Sequence, residues 1–161
     1  MKNPMTVIYI TGLSGTGKTA VLNELERAGM ETVDTDMGYT EQVPLEDDGR
    51  EWLLNEEKLE ALLNRERNVP LIISGCCRNQ GKFYDRFDAV ILLRAEPDVM
   101  MKRVAERTNN PYGKSQAEQA EIRESITEVL PLLEKSSDFI VDTDRKTLAD
   151  IRSEIMKKYL S

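Results

Sequence analysis

Five short apolar runs divide the chain at intervals expected for buried strands. Each is three to five residues long, and β-branched side chains are frequent in them. Because the runs are largely continuous rather than alternating with polar positions, they favour strands that are covered on both faces. The five runs are Thr6–Ile10, Glu31–Val33, Leu71–Ile73, Ala89–Leu93 and Phe139–Val141.

Segments with the periodicity of amphipathic helices lie between these runs. Alternating strands and helices predict right-handed crossovers, and therefore an α/β fold in which helices cover both faces of a parallel sheet. Pro131 lies inside the fourth helical segment and is expected to shorten or kink it. No linker or repeat divides the chain, so residues 1–161 are expected to form a single domain. The helical segments are Thr19–Ala28, Glu56–Arg67, Asp98–Arg107, Ala117–Lys135 and Leu148–Leu160.

Two segments break this alternation. Residues 36–55 are polar, acidic and rich in turn-forming residues, which indicates an irregular segment. Residues 108–114, TNNPYGK, have the composition of a loop between two helices. Binding residues concentrate in such loops when a rigid scaffold positions them. Both segments are therefore candidates for binding a substrate.

The sequence GLSGTGKT at residues 12–19 stands between the first apolar run and the first helical segment. Glycines at this spacing let backbone N–H groups turn towards phosphate oxygens, and the start of the following helix adds its positive end. Lys18 would contact the β- and γ-phosphates, and the Thr19 hydroxyl is a ligand for Mg²⁺. The alternative is a flexible turn that matches by chance, but the flanking strand and helix favour a nucleotide-binding loop. The expected nucleotide contacts are Gly12, Leu13, Ser14, Gly15, Thr16, Gly17, Lys18, Thr19 and Ala20.

Asp34 and Asp36 follow the second apolar run and predict a second part of the site. The third run ends in Ser74 rather than in the aspartate usual for motor or transporter ATPases, so a metal-supporting carboxylate has to come from elsewhere. In doubly wound folds, ligands bind at the carboxyl ends of the strands. We therefore expect Asp34 to support Mg²⁺, Asp36 to orient or deprotonate an acceptor hydroxyl, and both to face the substrate. An acidic turn that caps a helix is the structural alternative.

Arginines are the candidates for stabilising the charge on a transferring phosphoryl group. Arg103 and Arg107 lie one helical turn apart before TNNPYGK, and Arg103 falls on the apolar side of its helix. A loop that carries Arg107 and Lys114 would close over the triphosphate and exclude water. A solvated basic helix end is the alternative. Gly75 and Arg78, after the third apolar run, are candidates for binding the acceptor.

Other residue types narrow the chemistry. The chain has no histidine, which excludes histidine-based triads and histidine-ligated metals. The adjacent Cys76 and Cys77 are expected to be small packing residues. Trp52, with Tyr39, is a candidate for lining an acceptor pocket, and a packing role is the alternative.

The 161-residue chain carries a formal net charge of −7, which disfavours a nucleic-acid partner because such binding needs a basic footprint. No apolar run approaches the roughly 18 residues that a membrane-spanning helix needs. The N-terminal residues do not resemble a signal peptide. These features predict a cytoplasmic protein without a membrane or nucleic-acid partner, and they leave the oligomeric state open.

Together these residues resemble the small P-loop kinases of the adenylate kinase, shikimate kinase and gluconate kinase type, over nearly the whole chain. GLSGTGKT matches their phosphate loop, and Asp34-Thr35-Asp36 resembles the Asp-x-Asp of shikimate kinases. Arg107 in ERTNNPYGK resembles their lid arginine, and Arg78 resembles an acceptor-binding arginine of adenylate kinases. Asp142-Thr143-Asp144-Arg145 is similar to the loop that packs against adenine, which implies nucleotide contacts by its last two residues, Asp144 and Arg145.

The tryptophan before the second helical segment and RTNNPYGK also make the chain similar to a set of bacterial proteins described as ATP-binding or putative kinases of unassigned substrate. The resemblance implies a three-layer P-loop NTPase fold of the nucleoside monophosphate kinase type, with a five-stranded parallel sheet in the order 2-3-1-4-5. ATP and Mg²⁺ are the implied cofactors. Residues 36–67 are expected to bind the acceptor, and residues 107–116 are expected to form the lid.

The predicted activity is transfer of the ATP γ-phosphoryl group to a hydroxyl or phosphate of a shikimate-, nucleoside- or nucleotide-like small molecule. Lys18, Asp36, Arg103 and Arg107 are the expected catalytic residues. A regulatory protein that binds ATP without transfer, or hydrolyses it slowly, is the alternative. The identity of the acceptor and the choice of ATP over GTP stay open.

Overall fold

The computed structural model describes residues 3–47 and 49–160. Along these residues the strands are β1 Val7–Thr11, β2 Glu31–Asp34, β3 Thr40–Pro44, β4 Arg50–Leu54, β5 Leu71–Ser74, β6 Ala89–Arg94 and β7 Phe139–Asp142. The α-helices are α1 Lys18–Arg27, α2 Glu56–Asn64, α3 Pro97–Glu106, α4 Gln116–Glu128, α5 Leu130–Ser136 and α6 Leu148–Tyr159. Two 3₁₀ helices lie after β5 and β7, at Gln80–Arg86 and Thr143–Arg145. Within this described part of the chain, no helix has both the length and the apolar character needed to cross a membrane.

Five of the strands form one parallel sheet in the order β2-β5-β1-β6-β7. Counted among themselves, these strands have the order 2-3-1-4-5, so this prediction is confirmed. The register places Ile8 of β1 beside Ile72 of β5 and Ala89 of β6. β1 is therefore the central strand, and the loop that follows it leaves from the middle of the sheet edge.

Helices cover both faces of this sheet, because successive side chains of a strand point in opposite directions. Ile8 and Ile10 pack with α1 and α6 on one face, whereas Val7 and Tyr9 pack with α2 and the first 3₁₀ helix on the other. A smaller core beneath α3 and α5 contains Leu92 of β6. The predicted three-layer α/β fold is confirmed.

The fourth predicted helical segment is divided in two, as expected from its proline. α4 ends at Glu128, and Pro131 lies in the first turn of α5, where its missing N–H leaves no helical hydrogen bond unmade. α4 begins with a capping box, in which the Ser115 hydroxyl accepts from the N–H of Glu118 and the Glu118 carboxylate accepts from the N–H of Ser115.

Residues 36–55 contain a β-hairpin, so the prediction of an irregular segment is wrong. β3 pairs antiparallel with β4, and Gln42 stands opposite Trp52. The Asn79 side chain anchors the hairpin, since its amide accepts from the N–H of Leu54 and donates to the Leu54 carbonyl oxygen, each at 3.0 Å. The polar sequence of β3 has no clear strand periodicity, and this contact with a distant loop is invisible to a local pattern.

Candidate functional site

The loop between β1 and α1 curls around the N-terminus of α1. Lys18 Nζ donates to the carbonyl oxygens of Gly12 at 2.5 Å and Leu13 at 3.0 Å. Gly15 has a φ of 84°, and a side chain there would collide with the carbonyl oxygen of Met100. Burial lowers the pKa of the Lys18 ammonium, and a polyanion beside it would favour its charged form. Since N–H groups at a helix start favour anions, this loop suits phosphate.

A cavity of about 350 Å³ lies over this loop, and we call it the phosphate cavity. Its walls combine the loop with Asp34, Asp36, Arg103 and Arg107. These residues are far apart in sequence, and the sheet brings the ends of β1 and β2 together beside α3. Four further lining residues are not singled out by the motifs, and they are Asn23, Ser74, Asn109 and Asn110. The last two belong to the TNNPYGK loop.

Asp34 and Asp36 present two carboxylates to the phosphate cavity. Asp34 is the last residue of β2, and its carboxylate accepts a hydrogen bond from the N–H of Asp36 at 3.0 Å. Partial burial and the neighbouring Asp34 charge raise the pKa of Asp36, although Lys18 and Arg107 oppose the shift. Asp36 nevertheless stays open to solvent. The pair is therefore suited to a cation or to the proton of a bound hydroxyl.

The oxygen donors beside the loop fit Mg²⁺. Thr19 and Asp34 line the same cavity and offer a hydroxyl and a carboxylate, the hard ligands that Mg²⁺ prefers. Among the described residues, no group of three or more Asp, Glu, Cys or His side chains forms a metal cage. Mg²⁺ in nucleotide sites usually keeps several waters and takes phosphate oxygens as ligands, so one or two protein ligands suffice.

Arg103 and Thr143 join the loop to the end of β7. The Arg103 guanidinium donates to the Gly15 carbonyl oxygen at 3.3 Å and to Thr143 Oγ1 at 3.0 Å. The Thr143 hydroxyl in turn donates to the Thr16 carbonyl oxygen at 2.6 Å. Thr143 is buried, so water does not compete for its bond to Thr16, whereas the Arg103 bonds are partly buried. Arg103 thus finds its partners on the phosphate loop and on Thr143. Thr143 is a positioning residue, a role that the resemblance of residues 142–145 does not predict.

The segment at residues 107–114, where the sequence predicts a lid, contributes Arg107, Asn109 and Asn110 to the wall of the phosphate cavity. Arg107 Nη2 donates to the Tyr112 carbonyl oxygen at 2.7 Å, and Arg107 Nε donates to that of Asn110 at 3.2 Å. Lys114 Nζ donates to the Arg107 carbonyl oxygen at 2.7 Å. The segment is thus folded around the end of α3, with Arg107 and Asn110 facing the cavity.

A larger cavity, of about 720 Å³, shares Thr19, Asp34 and Asp36 with the phosphate cavity and extends to Met37 and Tyr39. A smaller cavity, of about 250 Å³, borders Lys18 and Asp36, and we call it the side cavity. It shares Ser14, Lys18 and Asp36 with the phosphate cavity, so groups bound in the two would meet there. The remaining walls come from the phosphate loop, the loop after β5, the lid and α4. They are formed by Gly12, Leu13, Cys76, Tyr112, Ile122 and Ser125.

A protein family described as an AAA domain matches residues 8–124 of the chain. These residues include the loop, both carboxylates, both arginines and the lid. The chain belongs to this AAA domain family. The resemblance to the small P-loop kinases, which the sequence motifs predict, is confirmed.

Relatives of this AAA domain include named kinases. A shikimate kinase from Thermodesulfovibrio yellowstonii is 28% identical over 99% of the chain and 95% of the relative. A nucleotide-binding protein from Nitratidesulfovibrio vulgaris is 32% identical over 96% of the chain, which spans about half of that relative (53%). The structure of a shikimate kinase from Acinetobacter baumannii in complex with shikimate matches with a TM-score of 0.66 at 18% identity, over 95% of this chain and 92% of the other. At that identity the likeness shows the shared fold.

Three residues predicted to bind the acceptor lie outside the three cavities around Asp36 in this AAA domain. Arg78 forms a bidentate ion pair with Glu51, with Nη2 2.6 Å from Oε1 and Nε 3.1 Å from Oε2. Trp52 lies on the hairpin with 56% of its surface exposed. Gly75 packs so closely that a side chain there would collide with Thr35 Oγ1. The structure therefore does not bring Arg78 and Trp52 to Asp36, whereas Gly75 lies between Ser74 and Cys76, which each line a cavity with Asp36.

The charged residues of the loop after β7 contact the residue that precedes α3, Glu96. Asp144 accepts a hydrogen bond from the N–H of Glu96 at 3.1 Å, and Arg145 lies 3.8 Å from the Glu96 carboxylate. The contact between this loop and the phosphate loop is the hydrogen bond from Thr143 to the Thr16 carbonyl oxygen. Nucleotide binding by Asp144 and Arg145 stays a prediction.

Proposed function

We propose that the protein is an ATP-dependent phosphotransferase that passes the γ-phosphoryl group to a hydroxyl or phosphate of a small-molecule acceptor. The observation that carries this proposal is that one cavity is shared by a phosphate loop, two carboxylates and a lid arginine. Phosphoryl transfer depends chiefly on positioning and on electrostatic stabilisation. The kinase name of the T. yellowstonii relative supports the same class of reaction.

In this proposal the loop and Lys18 hold the β- and γ-phosphates of ATP. Thr19 and Asp34 would hold Mg²⁺, which, when bound, bridges phosphate oxygens and offsets their charge. Arg103 and Arg107 stabilise the charge on the transferred group. Because Arg103 also donates to the Gly15 carbonyl oxygen, the same side chain holds the loop in place.

Asp36 is proposed to orient the acceptor hydroxyl and to accept its proton. Its raised pKa makes it a better proton acceptor than an ordinary exposed aspartate. Asp36 and Lys18 line both the phosphate cavity and the side cavity, whereas the larger cavity beside Tyr39 shares Asp36 but not Lys18. An acceptor in the side cavity would therefore meet the phosphate held by Lys18, and this cavity is the proposed acceptor site.

The second candidate function is ATP binding without phosphoryl transfer. One observation favours it, since the N. vulgaris relative is named a nucleotide-binding protein. A protein that binds ATP for regulation needs the loop but neither Asp36 nor Arg107. Substituting those two residues would then leave its behaviour intact. A slow ATPase, with water in place of the acceptor, would release phosphate without forming a phosphorylated product.

The deciding measurement is Mg²⁺-dependent ADP formation from ATP with pooled nucleosides, nucleoside monophosphates, shikimate, sugar acids and neutral sugars. We expect one pool to raise turnover well above the rate in its absence. Lys18→Ala should lower that turnover by roughly a hundred- to a thousand-fold, as expected for loss of one charge-stabilising group. Asp36→Ala should also lose it, whereas Lys102→Ala and Asp85→Ala, at exposed positions, serve as matched controls. Parent-like turnover in Lys18→Ala would refute the proposal.

A further inference from the structure

The walls of the side cavity combine hydroxyl groups with apolar surface. Ser14 and Ser125 contribute the hydroxyls, and Leu13 and Ile122 contribute the apolar part. Asp36 places a carboxylate at the side shared with the phosphate cavity. A ligand with several hydroxyl groups and an apolar face matches these walls, because buried polar groups need hydrogen-bond partners.

Four cations around this region are engaged by partners within the chain. Arg78 holds Glu51 in a bidentate pair, and Lys58 Nζ donates to the Gly38 carbonyl oxygen at 2.9 Å. In the lid, Lys114 and Arg107 donate to backbone carbonyl oxygens. A carboxylate or phosphate on the acceptor would have to displace one of these contacts, or compete with ATP for Lys18.

The carboxylates of this region oppose an anionic acceptor. Asp34 and Asp36 line the same phosphate cavity, so two negative charges already lie close together there. The hairpin carries further acidic side chains, including Glu41 and Glu46. A second anion would enter a field of its own sign. An uncharged acceptor avoids this repulsion.

The size of the side cavity sets a limit on the acceptor. Its volume of about 250 Å³ lies below the roughly 300–1,000 Å³ of cavities that bury drug-sized ligands. The loop that carries Cys76 is held in place, because the buried Gln80 side chain accepts from the Cys77 N–H at 2.8 Å and from the Tyr9 hydroxyl at 3.1 Å. The cavity therefore suits one small ring or chain rather than a nucleoside.

We propose that the acceptor is a small uncharged molecule with several hydroxyl groups, of the sugar or polyol class, and that the side cavity disfavours acceptors bearing a carboxylate or phosphate. This inference rests on the proposed function and narrows its acceptor class. The acceptor oxygen forms a bond to the γ-phosphorus while the bond from that phosphorus to the β,γ-bridging oxygen breaks. The hydroxyl proton passes to Asp36, and the products are ADP and a phosphate monoester.

Cys76 provides a reporter of binding that does not depend on catalysis, because it is exposed and lines the side cavity. The experiment measures the rate at which iodoacetamide alkylates Cys76 in the whole chain with Mg²⁺ and ADP. Burial raises the pKa of the Cys77 thiol to about 12, so Cys77 should react slowly, and Cys76→Ser gives the background. The probes are pairs that differ in charge, sorbitol against gluconate and methyl shikimate against shikimate.

We expect the neutral member of each pair to slow alkylation several-fold more than its anionic partner at equal concentration. Equal or stronger protection by the carboxylates would overturn the inference. A lack of protection by both neutral probes would overturn it as well.

A charge added to the wall of the side cavity sharpens this test. Ser125→Arg should reverse the preference, so that gluconate protects Cys76 better than sorbitol. Thr127→Arg adds the same charge at an exposed position of α4 outside the cavity lining, and it should leave the preference unchanged. Reversal in both variants would show that the preference follows net charge rather than the cavity, and would overturn the inference.

ADP formation with the same four probes separates this inference from the proposed function. Protection by the neutral probes without any phosphorylated product would support the acceptor class and contradict the kinase. Phosphorylation of gluconate or shikimate alone would support the kinase and overturn the acceptor class.

Discussion

The nucleotide side and the acceptor side of the site are held by different kinds of interaction. On the nucleotide side, Arg103 and the buried Thr143 hydroxyl donate to carbonyl oxygens of the phosphate loop. We use acceptor side for residues 36–67, the segment that the sequence predicts to bind the acceptor, together with the loop after β5 that holds it. There the hairpin is tied to that loop by the exposed Arg78–Glu51 pair and by the Asn79 amide. Water competes with the exposed pair but not with the buried bond from Thr143 to the Thr16 carbonyl oxygen.

This difference matches what each side has to do. Phosphate oxygens must meet several N–H groups at once, so the phosphate loop tolerates little displacement. An exposed ion pair is worth only about 0–1 kcal/mol, so contacts of the hairpin can change with little effect on folding. We therefore expect substitutions on the nucleotide side to reduce both stability and ATP binding, and those on the acceptor side to leave both nearly intact.

The largest effect is expected for Gly15→Ala on the nucleotide side. The positive φ of Gly15 disfavours a side chain, and the new Cβ would collide with the Met100 carbonyl oxygen. Left-handed backbone costs an L-residue about 1–2 kcal/mol, and overpacking adds about 1–3 kcal/mol. The free energy of unfolding should fall by about 2–5 kcal/mol, with loss of ATP binding. Denaturant titration and calorimetry measure the two.

Gly38→Ala is the matched control for that substitution. Gly38 also has a positive φ, of 97°, but a Cβ there would meet no described atom within 4 Å. Only the backbone strain of about 1–2 kcal/mol should remain, and ATP affinity should not change. Equal losses in the two variants would show that crowding against Met100 does not hold the loop.

A smaller effect is expected for Thr143→Val. The substitution removes the hydroxyl that donates to the Thr16 carbonyl oxygen and accepts from Arg103. Leaving buried partners unsatisfied costs about 1–3 kcal/mol, and the KM for ATP should rise because the loop loses a support. Thr143→Ser keeps the hydroxyl and should restore most of the ATP affinity. If Val and Ser behave alike, the hydrogen bond is not the link between β7 and the loop.

Asp36→Asn should stabilise the protein while abolishing transfer. The folded state raises the pKa of Asp36, so the ionised carboxylate opposes folding at neutral pH. Below the ordinary value of 3.8 the carboxyl is protonated in both states, and the advantage of Asn should vanish. The stabilisation of Asp36→Asn relative to the parent should grow as the pH rises from 3.8 to the raised pKa of Asp36, and it should stay constant at higher pH. The gain should be less than about 1 kcal/mol, because solvent screens this side chain.

Denaturant titrations of parent and Asp36→Asn across that pH range measure the gain. Asp85→Asn, at an exposed position away from the site, is the control. A gain of equal size at acidic and neutral pH would contradict the role assigned to the Asp36 charge.

The smallest effect is expected for Arg78→Ala on the acceptor side. Loss of the exposed pair with Glu51 should lower the free energy of unfolding only slightly, because water screens exposed ion pairs. The KM for ATP should stay unchanged, and so should the KM for the acceptor, since Arg78 lies outside the three cavities around Asp36. A large rise in the acceptor KM alone would return Arg78 to the acceptor-binding role that the sequence predicts.

The sequence by itself determined the layers of the fold and the location of the phosphate loop. Continuous apolar runs and the glycine spacing of residues 12–19 are local signals, because strand burial and the turn of the loop depend on neighbouring positions. The strand order followed from the family resemblance that the motifs carry. The placement of Asp34 and Asp36 beside the loop followed from the rule that parallel strands share one ligand-binding edge.

Only the tertiary structure decided which side chains meet across the chain. Thr143 bonds to the Thr16 carbonyl oxygen across 127 positions of sequence, Arg78 finds Glu51 on an unexpected hairpin, and the side cavity joins Cys76 to the lid and α4. Such contacts follow from how helices and loops pack on the sheet. A local period records which face of an element is buried but not which partner covers it.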